Sequence, residues 1–112
     1  YGNTEEYLKS AIEGEHEEWD ILYANGEKTA REEGFDEIAD TFKHVREAEK
    51  HHERRYRKLL ENIQNKTVFE KDYETDWLCR KCGYVWHGKS APNKCPNCHH
   101  PKAYFEVLCE TY

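Results

Sequence analysis

Four cysteines in the last third of the chain form two pairs that could bind a metal ion. Each pair has the spacing Cys-x-x-Cys, and twelve residues separate the pairs. Two such pairs bring four thiolates into a tetrahedron around zinc or iron. Gly83, directly after the first pair, allows the positive φ that turns backbone amides toward the sulfur atoms. The predicted ligands are Cys79, Cys82, Cys95 and Cys98.

The cysteine spacing by itself fits a structural zinc ribbon as well as an iron site. Two features favour iron: aromatic residues surround the pairs, and a second candidate metal site lies upstream. The aromatic residues are Tyr84, Trp86, Tyr104 and Phe105. Cys109 is expected to be a packed or free thiol, because four thiolates already complete the tetrahedron.

The second candidate site lies in a long helix predicted from about Asp36 to Gln64. An apolar or aromatic seam with alternating spacings of four and three is interrupted only by Glu49 and His52. Glu49-x-x-His52 places both side chains on one helical face, about one turn apart. His16 and His51 lie off the seams and are expected on the surface. The seam consists of Ile38, Phe42, Val45, Glu49, His52, Tyr56, Leu59 and Ile63.

An earlier helix is predicted to begin at a cap on Asn3 or Thr4 and to end near Gly34, which suits a left-handed C-terminal position. Its seam also has polar residues in the middle, Glu15 and Glu18. Because the link "EEGF" is so short, the two helices should form an antiparallel hairpin. The seam consists of Leu8, Ala11, Glu15, Glu18, Leu22, Asn25 and Thr29.

A single register of this hairpin places Glu15 opposite His52 and Glu18 opposite Glu49, and it also pairs the apolar seam residues. Carboxylates removed from water cost several kcal/mol each unless they are paired or bound to metal. Three carboxylates and one imidazole suit iron or manganese. An ordinary charged helix surface is the alternative, but the matched polar gaps in two seams favour a metal site.

A single hairpin supplies half of the ligand set of a ferritin-like bundle. Those bundles hold two metal ions with a Glu from each of two helices and Glu-x-x-His from each of the other two. The hairpin would also leave its seam exposed. We therefore expect a second copy of the chain, or a separate N-terminal helical segment, to complete the four-helix bundle.

Composition excludes several other classes of function. The chain has 112 residues and a formal net charge of −6, which argues against a nucleic-acid partner. The basic run "RRYRK" at 54–58 is expected to be a solvated helix face. No segment has the length of a membrane-spanning helix or the features of a signal peptide, so we expect a soluble, cytoplasmic protein. Methionine is absent, and a start at Tyr1 indicates processing, proteolysis or a partly observed chain.

The predicted fold class is α plus a small metal-stapled β module. Residues 1–65 are expected to form the helical hairpin, half of a ferritin-like four-helix bundle. Residues 66–75 are expected to be a linker, and residues 76–112 a four-cysteine iron domain that resembles the rubredoxins.

In combination and in order, these motifs resemble the rubrerythrin family over essentially the whole chain. The matching segments are "AIEGEHEEW", "EAEKHHERRYRKLL", "NIQNKTVFEK" and "CRKCGYVWHGKSAPNKCPNCHHPKAYFEVLCETY". The resemblance implies a non-haem di-iron peroxidase that reduces hydrogen peroxide to water in anaerobes and microaerophiles. It also implies a mononuclear iron in the four-cysteine site that passes electrons from a reductase.

The resemblance assigns roles to individual residues. Glu15, Glu18, Glu49 and His52 would be di-iron ligands, and the four paired cysteines would hold the mononuclear iron. Tyr23 resembles a family tyrosine near the centre that could hydrogen-bond a ligand carboxylate, although it could equally be a core residue.

The chain departs from the family pattern in two places. The first helical pair of the family, with another Glu and another Glu-x-x-His, is missing from this sequence. After Tyr23 the family usually has proline and phenylalanine, whereas "ANGEK" stands here. Gly26 weakens the helix by roughly 1 kcal/mol, so a local distortion or an exchange of segments is expected near this place.

Two other functions stay open from the sequence. One is a ferroxidase or iron-handling role, which the same kind of bundle supports. The other is an interaction module made of a zinc ribbon on a helical hairpin, and zinc could occupy either site in the isolated protein.

Overall fold

The computed structural model describes residues 2–112, which divide into two compact units between Gln64 and Asn65. The first unit is an antiparallel helical hairpin, as predicted. Its first arm begins with helix α1 (Thr4–Glu17), passes through a π-helical turn (Glu18–Leu22) and continues as α2 (Tyr23–Glu32). Its second arm is the long helix α3 (Asp36–Gln64).

Local signals at the ends of the first arm agree with the structure. The side chain of Asn3 accepts a hydrogen bond from the backbone N–H of Glu6 at 2.9 Å, which caps α1. Gly34 has a φ of +84°. The backbone N–H of Phe35 donates to the carbonyl of Ala30 at 2.8 Å, which closes the end of the arm in the manner of a Schellman motif.

The helical distortion lies one turn earlier than the sequence suggested. It occupies Glu18–Leu22, whereas Asn25 and Gly26 lie within the regular helix α2. Gly26 serves close packing instead: a Cβ atom at this position would lie 2.8 Å from the Cε1 and Cζ atoms of Phe42 on α3. The glycine therefore lets the Phe42 ring lie directly against the α2 backbone.

The predicted seams do not form a closed core. The hydrophobic residues buried in the hairpin are Ile12, Ala30 and Ala39, none of which belongs to a predicted seam. Three apolar seam residues are about half exposed. Each helix of a two-helix hairpin covers only one side of the other helix's seam, so the remaining side stays open to solvent. These exposed residues are Leu22, Ile38 and Leu59, at 54%, 52% and 48%.

The second unit is a small antiparallel sheet of three strands in the order β2–β1–β3. Strand β1 (Glu70–Cys79) begins inside the segment that the sequence suggested as a linker. It pairs with β2 (Val85–Ser90) and with β3 (Phe105–Val107), which follows a short 3-10 turn. The β1–β2 register shifts between Glu70 and Thr75.

The core of the second unit contains two of the predicted ligands. Its buried residues are Trp77, Cys79, Ala91, Cys95 and Phe105. The indole N–H of Trp77 donates to the carbonyl of Gly88 at 3.0 Å, so its one polar group is satisfied. Within residues 2–112, no helix is both long enough and apolar enough to cross a membrane.

Because Gly26 packs against Phe42, replacing this glycine with alanine should destabilise the hairpin, whereas the same replacement usually stabilises a helix. In an open helix interior, Gly→Ala stabilises by about 0.5–1 kcal/mol. A methyl group added at Gly14 would have no other atom within 4 Å, so Gly14→Ala should show that gain. Gly26→Ala should instead destabilise by about 1 kcal/mol, because the Phe42 ring must move.

Urea unfolding followed by helical circular dichroism measures both changes. In a Phe42→Ala background, Gly26→Ala should become stabilising. If Gly26→Ala stabilises the original chain as much as Gly14→Ala does, the close-packing explanation is wrong.

Candidate metal centres

Three of the four predicted ligands in the hairpin lie together. The Nδ1 atom of His52 is 3.1 Å from Oε2 of Glu49 and 3.5 Å from Oε2 of Glu15. One ligand atom from each of these three residues lies within 4.8 Å of the others. Glu18, the first residue of the π turn, is outside this group, but its carboxylate interacts with that of Glu49.

The carboxylates in this cluster lie close together, and their pKa values are shifted as a result. A hydrogen bond shared with Glu49, burial and repulsion by neighbouring carboxylates raise the pKa of Glu15 to about 7. The same hydrogen bond from Glu15 is the main factor that lowers the pKa of Glu49. Burial and the charge of Glu49 raise the pKa of Glu18. The crowded carboxylates therefore favour protonation of Glu15 up to about pH 7 in the metal-free chain.

The Oε2 atom of Glu15 provides a direct test of whether a metal ion fits. This oxygen is buried, and it has no hydrogen-bond partner among residues 2–112. Buried polar atoms in proteins nearly always have a partner. A cation bound between Glu15, Glu49 and His52 would supply that partner and would replace the shared proton. The residues present therefore fit a metal ion.

Tyr23 lies at the start of α2, directly after the π turn. Its ring packs against that of Phe42, with the ring centroids 6.0 Å apart. Within residues 2–112, its hydroxyl makes no hydrogen bond to a predicted ligand. A direct role for Tyr23 at the site stays a prediction.

The four paired cysteines form the second cluster. The Sγ atoms of Cys79 and Cys98 are 3.7 Å apart, as are those of Cys82 and Cys95. Metal–sulfur bonds of about 2.3 Å in a tetrahedron require sulfur atoms about 3.8 Å apart. A disulfide would require about 2.05 Å. The four thiols are therefore spaced for a metal ion, whereas Cys109 is exposed and outside the cluster.

Backbone and side-chain groups around the thiols tune their ionisation. Hydrogen bonds from the side chain of Asn97 and the backbone N–H of Tyr84 lower the pKa of Cys82 to about 6. The backbone N–H of His100 favours the thiolate of Cys98, but burial and hydrogen bonds with the other thiols raise its pKa to about 12. Metal binding must therefore displace protons from this cluster. Gly83 has a φ of +85°, as its position after the first pair predicts.

The chain therefore has two candidate metal sites: a carboxylate and imidazole cluster on half of a ferritin-like bundle, and a four-cysteine cluster beside a small sheet. A family model described as rubrerythrin matches residues 1–60. A second model, described as the rubredoxin-like domain of rubrerythrin, matches residues 77–106. The chain belongs to the rubrerythrin family.

Individual relatives agree with this assignment. The chain is 50% identical to rubrerythrin-1 of Clostridium acetobutylicum, across 99% of this chain and 57% of the relative. It is 49% identical to a rubrerythrin of Porphyromonas gingivalis, across 99% of this chain and 56% of the relative. It thus spans little more than half the length of these relatives.

A solved structure of nigerythrin in a partially reduced state has a similar fold. It superposes with a TM-score of 0.55 and 29% sequence identity, covering 96% of this chain and 51% of nigerythrin.

The shared proton predicts a pH dependence for the metal-free hairpin. Because the pKa of Glu15 rises from an ordinary 4.5 to about 7 on folding, its protonation stabilises the folded state fully below about 4.5. This contribution is lost as the pH rises through about 7. As the pH rises from about 5 to 8, the thermal midpoint of the original chain should therefore fall relative to that of Glu15→Gln.

Melting curves of metal-free protein, followed by far-UV circular dichroism, measure this difference. Glu13→Gln, an exposed position on α1, is the matched control and should keep the pH dependence of the original chain. If Glu15→Gln follows the original chain in parallel at every pH, Glu15 does not hold the proton.

Proposed function

We propose that the chain forms part of a non-haem di-iron peroxidase that reduces hydrogen peroxide to water. The main support is the convergence of Glu15, Glu49 and His52 around a buried carboxylate oxygen that lacks a partner among residues 2–112. Glu18 would be a further ligand from the π turn. Membership of the rubrerythrin family, and a solved nigerythrin structure described as all ferrous, support iron in preference to other cations.

The four cysteines would hold a mononuclear iron that serves electron transfer. When bound, the iron pair would supply the two electrons that cleave the O–O bond, and the four-cysteine iron would return electrons obtained from a reductase. Reduction of one peroxide molecule to two of water also requires two protons. Because bound iron would displace the proton held between Glu15 and Glu49, both protons would come from solvent.

The carboxylates of the chain would perform two tasks. Their negative charge would balance the iron ions, and their number would let ligands rearrange as the charge on the metal changes. His52 would contribute a neutral ligand from the more open side of the cluster, since 47% of its side chain is exposed.

The proposed enzyme is complete only when more helices cover the hairpin. The cluster contains three carboxylates and one imidazole, about half of a ferritin-like di-iron set. The seam residues Leu22, Ile38 and Leu59 are about half exposed on this hairpin, which leaves apolar surface for another helix to cover. We propose that a second copy of the chain or a separate N-terminal helical segment covers this surface and supplies the remaining ligands.

Peroxide turnover of the iron-loaded assembly, with a reductase as electron donor, tests the proposed activity. Glu49→Gln should lower turnover by more than about 100-fold, the upper end of the loss caused by removing even an outer partner of a ligand. Glu61→Gln, an exposed α3 carboxylate, should have no effect. Cys98→Ser should abolish reduction through the donor, while Cys109→Ser should retain it.

Two results would overturn the proposal. Negligible peroxide turnover together with rapid oxidation of excess ferrous iron by oxygen would indicate a ferroxidase. A colourless protein that contains one zinc and no iron would indicate a zinc-ribbon interaction module.

A further inference from the structure

A row of charged residues on α3 runs beside the seam that carries the candidate ligands. Each member lies one residue after a seam residue, and successive members are four, three and four residues apart. We call this set the outer polar row. It consists of Arg46, Lys50, Glu53 and Arg57.

Three members of the outer polar row contact Trp19, which lies in the π turn. The indole N–H donates to Oε1 of Glu53 at 3.0 Å. The Nε group of Arg46 donates to the backbone carbonyl of Trp19 at 2.9 Å, and the Nζ atom of Lys50 lies 5.0 Å from the centroid of its ring. Residues of α3 therefore contact both the backbone carbonyl and the side chain of Trp19.

The contact from Arg46 reaches a carbonyl that loses its α-helical donor in the π turn. In an α-helix, the carbonyl of Trp19 would accept from the N–H of Tyr23, four residues on. Here that N–H donates to the carbonyl of Glu18, five residues back. Arg46 supplies a side-chain donor to this carbonyl, so α3 bonds directly to the backbone of the π turn.

Glu53 also contacts helix α1, about one turn before Trp19. Its Oε1 atom lies 2.8 Å from Nδ1 of His16, and its Oε2 atom accepts from Nε of Arg57 at 2.8 Å. Only 14% of the Glu53 side chain is exposed, whereas His16 is on the surface as expected. One carboxylate thus joins two sites on the first arm to α3.

The positions of these contacts relate them to the candidate metal site. His16 directly follows Glu15, Trp19 directly follows Glu18, and Glu53 directly follows His52. A side chain that anchors one residue also restricts the backbone of its neighbour. The outer polar row therefore lies at the height of the carboxylate cluster, on the adjacent side of the helices.

We propose that Trp19 and Glu53 are positioning residues for the carboxylate site. They hold the π turn against α3 and so determine where the carboxylates of Glu15 and Glu18 lie relative to Glu49 and His52. The inference rests on the proposed metal site. Partners of this kind orient metal ligands, and their removal typically lowers metal affinity by about 10–100-fold.

Anaerobic titration of the full assembly with ferrous iron tests the inference, using Trp19→Phe and Glu53→Gln. Trp19→Phe keeps an aromatic ring but removes the indole N–H, and Glu53→Gln keeps the size of the side chain but removes its charge. Both should lower iron affinity at the carboxylate site by about 10–100-fold. Glu61→Gln, on the same helix, should leave the affinity unchanged.

Mössbauer spectra of samples loaded with isotopically enriched iron provide the second measurement. Both variants should alter the signal of iron with oxygen and nitrogen ligands. The signal of the four-cysteine iron in the same sample should stay unchanged and serves as an internal control. Far-UV circular dichroism verifies that the helices are retained. If either variant loses its helices, His16→Ala, which alters an exposed side chain, replaces it and should lower affinity by up to about 10-fold.

The outcomes separate this inference from the proposed function. If the original assembly binds no iron at the carboxylate site, both are wrong. If it binds iron and the variants bind equally tightly with the same spectrum, the positioning role alone is wrong. A lower melting temperature with unchanged affinity and spectrum would show that the contacts only hold the helices together, which also overturns the inference.

Discussion

The hairpin depends on one electrostatic constraint: the carboxylates of Glu15, Glu18 and Glu49 lie near a single imidazole, and no lysine or arginine among residues 2–112 pairs with them. In the metal-free chain this crowding raises the pKa of Glu15 to about 7, and one buried oxygen of Glu15 has no hydrogen-bond partner among the same residues. Such a site costs stability in the absence of metal. The cost is understandable if the cluster exists to hold a cation, because the same groups then become ligands.

The second unit meets a related constraint in another way. With fewer than fifty residues, it has a small core, and two of its buried members are the cysteines Cys79 and Cys95. A metal ion joined to four sulfur atoms would stabilise that core as well as carry electrons. Hydrogen bonds to the sulfur atoms, such as those that lower the pKa of Cys82, would also influence the potential of a bound iron.

Much of this organisation can be predicted from the sequence, because it is encoded locally. The Asn3 cap, Gly34 at the end of the first arm and the regular seam of α3 specify a hairpin with the observed bounds. The Cys-x-x-Cys spacing specifies the four-sulfur cluster. The register that places Glu15 level with His52 follows from the short link between two helices of known period.

The remaining features depend on tertiary contacts that leave little trace in the sequence. The π turn contains no glycine or proline. Arg46, which donates a hydrogen bond to the carbonyl of Trp19 in this turn, lies 27 residues further along the chain. Glu53 looks like any charged residue off the seam, although its side chain accepts hydrogen bonds from the other arm. The seam residue Leu59 is half exposed, because two helices by themselves leave part of each seam uncovered.

We propose that this hairpin becomes a di-iron site when two more helices cover it. Native mass spectrometry of the purified, iron-loaded assembly, combined with metal analysis, is the decisive test. We expect a second copy or a separate helical polypeptide, with two irons per completed bundle and one iron per four-cysteine site. A monomeric chain that carries a single metal ion in its cysteines, and none in the hairpin at saturating iron, would contradict it.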